Sequence, residues 1–267
     1  MTALAAARRR PGLADAIRAE WLRTRTIRST WFTVLALVAL GAFFALLFGF
    51  QGAAAYAKLT AAERAAFHPE PDFRPLIFAQ IVAGYLGLRA FTVEYATRTM
   101  PVTLTTTPRR GRVLAAKALV CSAVTLAAGT AAGLVIVFIG RAVLTAKGVP
   151  VNALGEPGMS RVLAGTGILL TLETLIGLAV GCLLRGTAGA LTVVSVIGIF
   201  VPAMASLYPD WLARLVLSYW PITAGLRLLS MDGDPALPGP WAGVAVMGGW
   251  AAVLLAAAFA AFRGRDA

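Results

Sequence analysis

The chain has 267 residues, 59% of them hydrophobic and only 13% charged, with a formal net charge of +12. A soluble globule carries about a quarter charged residues, so the composition excludes one. The charge alone would fit a nucleic-acid binder, but the basic residues fall between apolar runs in the pattern that sets membrane topology, and no nucleic-acid partner is expected.

The first predicted element covers residues 13–28, LADAIRAEWLRTRTIR. Leu13, Ile17 and Trp21 recur at i, i+4, while Arg18, Arg25 and Arg28 lie elsewhere on the helical wheel. This pattern predicts an amphipathic helix in the membrane interface, anchored to lipid by Trp21, Arg25 and Arg28. A solvated basic tail is the alternative. Six apolar runs near span length follow, at about residues 31–50, 76–92, 113–140, 162–184, 188–207 and 241–262. Each approaches the roughly 20 residues that cross a bilayer core of about 30 Å. None alternates with period two, which argues against a β-barrel. Helices satisfy their backbone groups internally in lipid, so the expected fold is all-α, a polytopic membrane protein with six spans. The first run follows an arginine-rich segment and is of full span length, so it is expected to stay as an anchor.

The loops sort by charge. Fifteen basic residues precede the first run, separate runs two and three or four and five, or follow run six; eight lie on the other side, and Arg89 sits near a span end. The positive-inside rule then places both termini in the cytoplasm.

The loop at 51–75 holds the chain's one histidine, His68, among Pro69, Glu70, Pro71 and Asp72. A metal site needs more convergent ligands, so a proline-punctuated surface loop is expected. Cys121 and Cys182 fall in apolar runs and read as small packing residues.

The segment from Glu94 to Lys117, EYATRTMPVTLTTTPRRGRVLAAK, stands apart from its surroundings. Glu94 and Arg98 are four apart and could pair on one helix face. Pro101 disfavours continuing that helix. Thr107 and Pro108 read as N-cap and first residue of the next helix. Arg109, Arg110, Arg112 and Lys117 decorate its first turns, where the helix dipole disfavours cations. Lipid phosphate, topology or a protein partner would have to retain them.

Gly129 with Gly133, and Gly177 with Gly181, form small-xxx-small faces for close helix approach, although glycine is common in membrane helices generally. Glu173 sits midway along the fourth run, where a carboxylate costs about 2.5–3.5 kcal/mol. It is either a functional residue or a structural hydrogen-bonder, with Thr171 and Thr174 as candidate partners. Residues 208–240 are apolar enough for helices but broken at Pro221 and Gly225. A re-entrant or surface-lying helix pair on the outer side is expected before the last span. Asp232 and Asp234 look like the start of a calcium loop, but no downstream glutamate completes it. The chain has no phosphate-binding loop, no dinucleotide fingerprint and no inverted repeat. No catalytic set is assembled, and the chain lacks an energy source of its own.

In order and topology the chain resembles the six-span permease subunits of type-2 ABC transporters, of the actinobacterial sort. Three stretches carry the resemblance: AEWLRTRTIRSTWF before the first span, EYATRTMPVTLTTTPRRGRVLAAK, and LIGLAVGCLLRGTAGALTVVSVIGIFVP across the fourth and fifth. It implies a single transmembrane domain over 1–267 that pairs with a second permease subunit, alike or different, in a bacterial cell membrane. It also implies a separate cytoplasmic ATPase that binds the ATP, so the chain itself needs no cofactor. The cytoplasmic coupling segment falls within residues 93–112, with Glu94, Arg98, Thr99 and Leu104 in the part that receives force. The family often has a glycine before the threonine of this motif, where Arg98 stands here. A proton-coupled carrier using Glu173 and a membrane scaffold or sensor are the rival expectations.

Overall fold

A computed structural model describes residues 12–67, 72–107, 109–151, 153, 155–230 and 239–264. His68, Pro108, Asp232 and Asp234 lie outside the described residues. Among the described residues there are helices and turns and no strand.

The helices run α1 (Leu13–Thr26), α2 (Arg28–Ala57), α3 (Ala61–Ala65), α4 (Pro75–Ala96), α5 (Met100–Thr106), α6 (Arg110–Ala146) and α7 (Met159–Leu184), then α8 (Thr187–Thr192), α9 (Val201–Ala203), α10 (Asp210–Tyr219), α11 (Pro221–Leu226) and α12 (Pro240–Gly264). A π-helical stretch, Val193–Phe200, joins α8 to α9. Among the described residues, five helices are long and apolar enough to cross a membrane: α2, α4, α6, α7 and α12. The protein is built as a helical membrane protein. α6, at 37 residues, extends about 55 Å at 1.5 Å per residue, well beyond the hydrocarbon core.

α7 forms the centre, packed against α4, α6 and α12, and α2 lies across α4 and α6. The glycine faces work as the sequence implies. Gly177 lies against the backbone of Gly84 and Gly181 against that of Leu88, so α4 and α7 run parallel in close contact. Gly129 of α6 lies 3.2 Å from the Cα of Gly167, measured from where its own Cβ would stand. Cys121 and Cys182 are buried packing residues, as expected.

The run expected as the fifth span, 188–207, is instead a shorter apolar helix, Thr187–Ala203, with a 3-10 turn beyond it. Pro202 explains part of its irregularity. Proline has no N–H for the carbonyl four residues back. That carbonyl, on Gly198, accepts the Trp220 indole N–H at 3.0 Å instead. α10 and α11 form a helix pair broken at Trp220 and Pro221. Their junction lies against α12: the Trp250 indole donates to the Tyr219 carbonyl at 2.9 Å.

Two local readings need correction. Thr107 closes α5, and the N-cap of α6 is Arg109, two residues later. Pro101 opens a helix rather than ending one. It occupies the first turn of α5, where its missing N–H costs nothing.

Candidate functional site

One end of the bundle gathers α1, α5, the start of α6 and the ends of α4, α7 and α12. α4 stops there in a Schellman motif. The Thr99 N–H donates to the Glu94 carbonyl at 2.9 Å and the Arg98 N–H to the Tyr95 carbonyl at 3.2 Å. Arg98 holds the left-handed position with φ 54°. Helices most often place glycine at this position, because a Cβ there is strained.

The chain then enters α5. Met100 is buried and pins the helix to a cluster that includes Phe91, Val113, Leu114 and Phe262. Leu104 packs half-buried on the same cluster. Val102 points away and is 63% exposed. Thr99 and Arg98 are exposed as well.

Glu94 does not pair with Arg98. Its side chain is fully buried and accepts from Lys117 of α6 and Arg23 of α1. The Thr103 hydroxyl of α5 donates to its second oxygen at 3.1 Å. Lys117 also donates to Glu20 of α1 at 2.8 Å. Two acids and two bases from three long helices thus form a neutral cluster, and α5 is hydrogen-bonded to it. Such burial is tolerable because every charge has an opposite partner. Lys117, grouped in the sequence with a surface basic run, is 1% exposed. Beside the cluster lies a small cleft of about 60 Å³ that Arg89 also lines. Arg89 itself donates to Thr33 and Ser29 of α2.

Of the predicted lipid anchors, Trp21, Arg25, Arg28 and Arg109 are exposed on this end, and Arg112 is half-buried. Arg110 acts within the fold: it donates to the Phe262 carbonyl at 2.6 Å, closing the end of α12.

Glu173 lies apart from this cluster. It is 3% exposed in α7, facing α4. The two hydroxyls expected to serve it are engaged elsewhere. Thr171 donates to the Gly167 carbonyl at 2.7 Å, and Thr174 to the Ala83 carbonyl at 2.9 Å. At the far end an apolar cavity of about 410 Å³ opens between α2 and α6, lined by Phe48, Gly49, Ile136 and Gly140 among others. No group of residues suited to a metal ion occurs among the described residues.

Glu20, Arg23 and Lys117 are the members of the cluster that sequence reasoning missed. A signal existed. Glu20 and Glu94 are rare acids on a strongly basic side, and Lys117 is that side's one lysine. A scan of protein-family models finds no match to the chain, and a search of curated proteins finds none either.

Proposed function

We propose that the chain is the membrane subunit of an ATP-driven exporter of the type-2 ABC class, working with a separate cytoplasmic ATPase and a second permease subunit. The observation that carries this reading is α5. It is a short helix projecting from the end of the bundle, with an outward Val102 and an inward tie to Glu94. A partner pressing on its outer face would move Glu94, and with it α1, α4 and α6 together. That is a lever for rigid-body switching between two states. The partner's contact surface is then Arg98, Thr99 and Val102, while Glu94 and Leu104 transmit from within.

Arg98 departs from the glycine that the family often has at this position, and its backbone keeps the conformation that glycine favours. The excess of basic residues supports a cytoplasmic position for this end. α1 and the end of α12 both meet the start of α6, which supports an even number of crossings. In this reading the five long helices are joined by the shorter stretch 187–207 as a sixth. In this orientation α10 and α11 enter the outer half of the bundle.

The test is co-expression with a candidate ABC-type ATPase drawn from an adjacent reading frame. Val102→Asp should leave the membrane subunit folded but remove the ATPase from the purified complex. Retention of the ATPase through that change and others at Arg98 and Thr99 would overturn the assignment.

A further inference from the structure

Gln80 and Glu173 stand level on two parallel helices, and neither has a partner among the described residues. The register between α4 and α7 is set by Gly84 against Gly177 and Leu88 against Gly181. One turn before the first of these pairs come Gln80 and Glu173. Gln80 is 1% exposed, and neither its Oε1 nor its Nε2 has a hydrogen-bond partner. Among the described residues Glu173 makes no hydrogen bond and no ion pair. Its Oε1 lies 3.5 Å from where a Cβ on Gly84 would stand, so the carboxylate reaches towards α4.

A third element arrives at the same glycine. Val194 of the π-helical stretch lies against Gly84, and the hydroxyl of the next residue, Ser195, is buried without a partner. Unpartnered buried polar groups are rare, and Gln80, Glu173 and Ser195 stand on three elements that meet at Gly84, so an occupant would explain them. π-helical turns also recur at functional sites.

The electrostatics select the occupant. No charged residue stands on α2 between Arg28 and Lys58, on α6 between Lys117 and Arg141, or on α12 before Arg263. α7 carries only Glu173 between Arg161 and Arg185, and residues 187–207 carry no charge. Along α4 the nearest charges are Arg74 at its N-cap, paired with Asp72, and Arg89 and Glu94, engaged at the far end. Tyr85 follows Gly84 on α4, and Cys121 and Cys182 belong to the cluster around Phe91 and Phe262 at the far end. A lone carboxylate with a carboxamide and a hydroxyl, all able to offer oxygen, excludes anions and suits a small hard cation. We propose that Glu173, Gln80 and Ser195 form an intramembrane site for one small monovalent cation, a hydrogen ion or a sodium ion. This goes beyond the exporter reading and does not rest on it.

The test uses the full chain in lipid nanodiscs and dicyclohexylcarbodiimide, an apolar reagent that adds to protonated carboxyl groups in apolar surroundings. The adduct is located by peptide mass spectrometry. Labelling at Glu173 is expected, falling as pH rises, and absent in Glu173→Gln. Protection by sodium chloride but not by choline chloride would identify sodium as the occupant; equal labelling in both would identify the hydrogen ion. Gln80→Leu, which keeps the carboxyl, is expected to shift the pH or sodium dependence of labelling. No labelling at Glu173 at any pH, or a dependence unchanged by Gln80→Leu, would overturn the site. Loss of the ATPase partner would leave these results untouched, so the two proposals fail separately.

Discussion

Glu94 and Lys117 meet as a buried ion pair where α4 ends and α6 begins, 23 residues apart in sequence. Each is at most 1% exposed, and each has a second charged partner on α1. Removing one member strands the other in a low-dielectric site, at a cost of about 3–5 kcal/mol. Glu94→Gln and Lys117→Met should each lower stability by about that much, whereas the double substitution should cost clearly less than their sum. Thermal unfolding of the purified protein in detergent, arranged as a double-mutant cycle, measures this. Additive costs would mean that the pair is not coupled.

Arg98 carries strain that its neighbours do not. A side chain in the left-handed region costs roughly 1–2 kcal/mol. Arg98→Gly should therefore raise stability by about 1 kcal/mol, since glycine adopts this φ without a clash but loses more entropy on folding. The same thermal assay reads it, and destabilisation would contradict the Schellman geometry.

Glycine positions on the helix seams should differ sharply. A Cβ on Gly87 would overlap the Thr174 carbonyl, a backbone atom that cannot yield without separating α4 from α7. A Cβ on Gly140 meets nothing within 4 Å. Gly87→Ala should cost about 3 kcal/mol or more by overpacking. Gly140→Ala should be neutral or slightly stabilising, through the better helix propensity of alanine. Size-exclusion profiles and melting temperatures separate the two.

α3 is predicted to be acid-sensitive. Glu63 and Thr60 form a capping box, with the Thr60 N–H donating to the Glu63 carboxylate at 2.7 Å. That bond, with a second from the Thr60 hydroxyl, holds the Glu63 carboxyl below its ordinary value of 4.5. A folded-state value below the unfolded one stabilises the cap above pH 4.5. The contribution is lost as pH falls through the folded value. Amide protection factors over 63–66 should fall in that acid range and stay constant between pH 6 and 8. Glu63→Gln should flatten the dependence.

The long helices and their glycine faces were legible because span length and small-residue spacing are local patterns. Helix α1 was legible too, from Leu13, Ile17 and Trp21. The ionic cluster was not. Its members come from α1, α4 and α6, and no spacing rule links Glu20, Glu94 and Lys117 before the helices pack. The i, i+4 rule pointed to Arg98 as the partner of Glu94, but it presumes a helix continuing through residue 98, and α4 ends at Ala96. Glu173 stood out by cost alone. That Thr171 and Thr174 serve backbone carbonyls, and Thr174 also Thr125, leaving Glu173 unpartnered, follows only from the packed bundle. The irregularity of the stretch 188–207 was not legible, because hydropathy does not register what Pro202 does to the carbonyl of Gly198.

The central claim is that an ATPase presses on the outer face of α5. Cys121 and Cys182 are both buried, so Val102→Cys introduces an accessible thiol that a bifunctional maleimide–photoreactive probe can address. The most direct measurement is crosslinking from that thiol in membranes containing this chain and the candidate ATPase. A crosslink to a protein with a phosphate-binding loop, its yield changed by ATP, is the predicted result. A crosslink formed only with lipid, or a yield that ignores both the ATPase and ATP, would contradict the account.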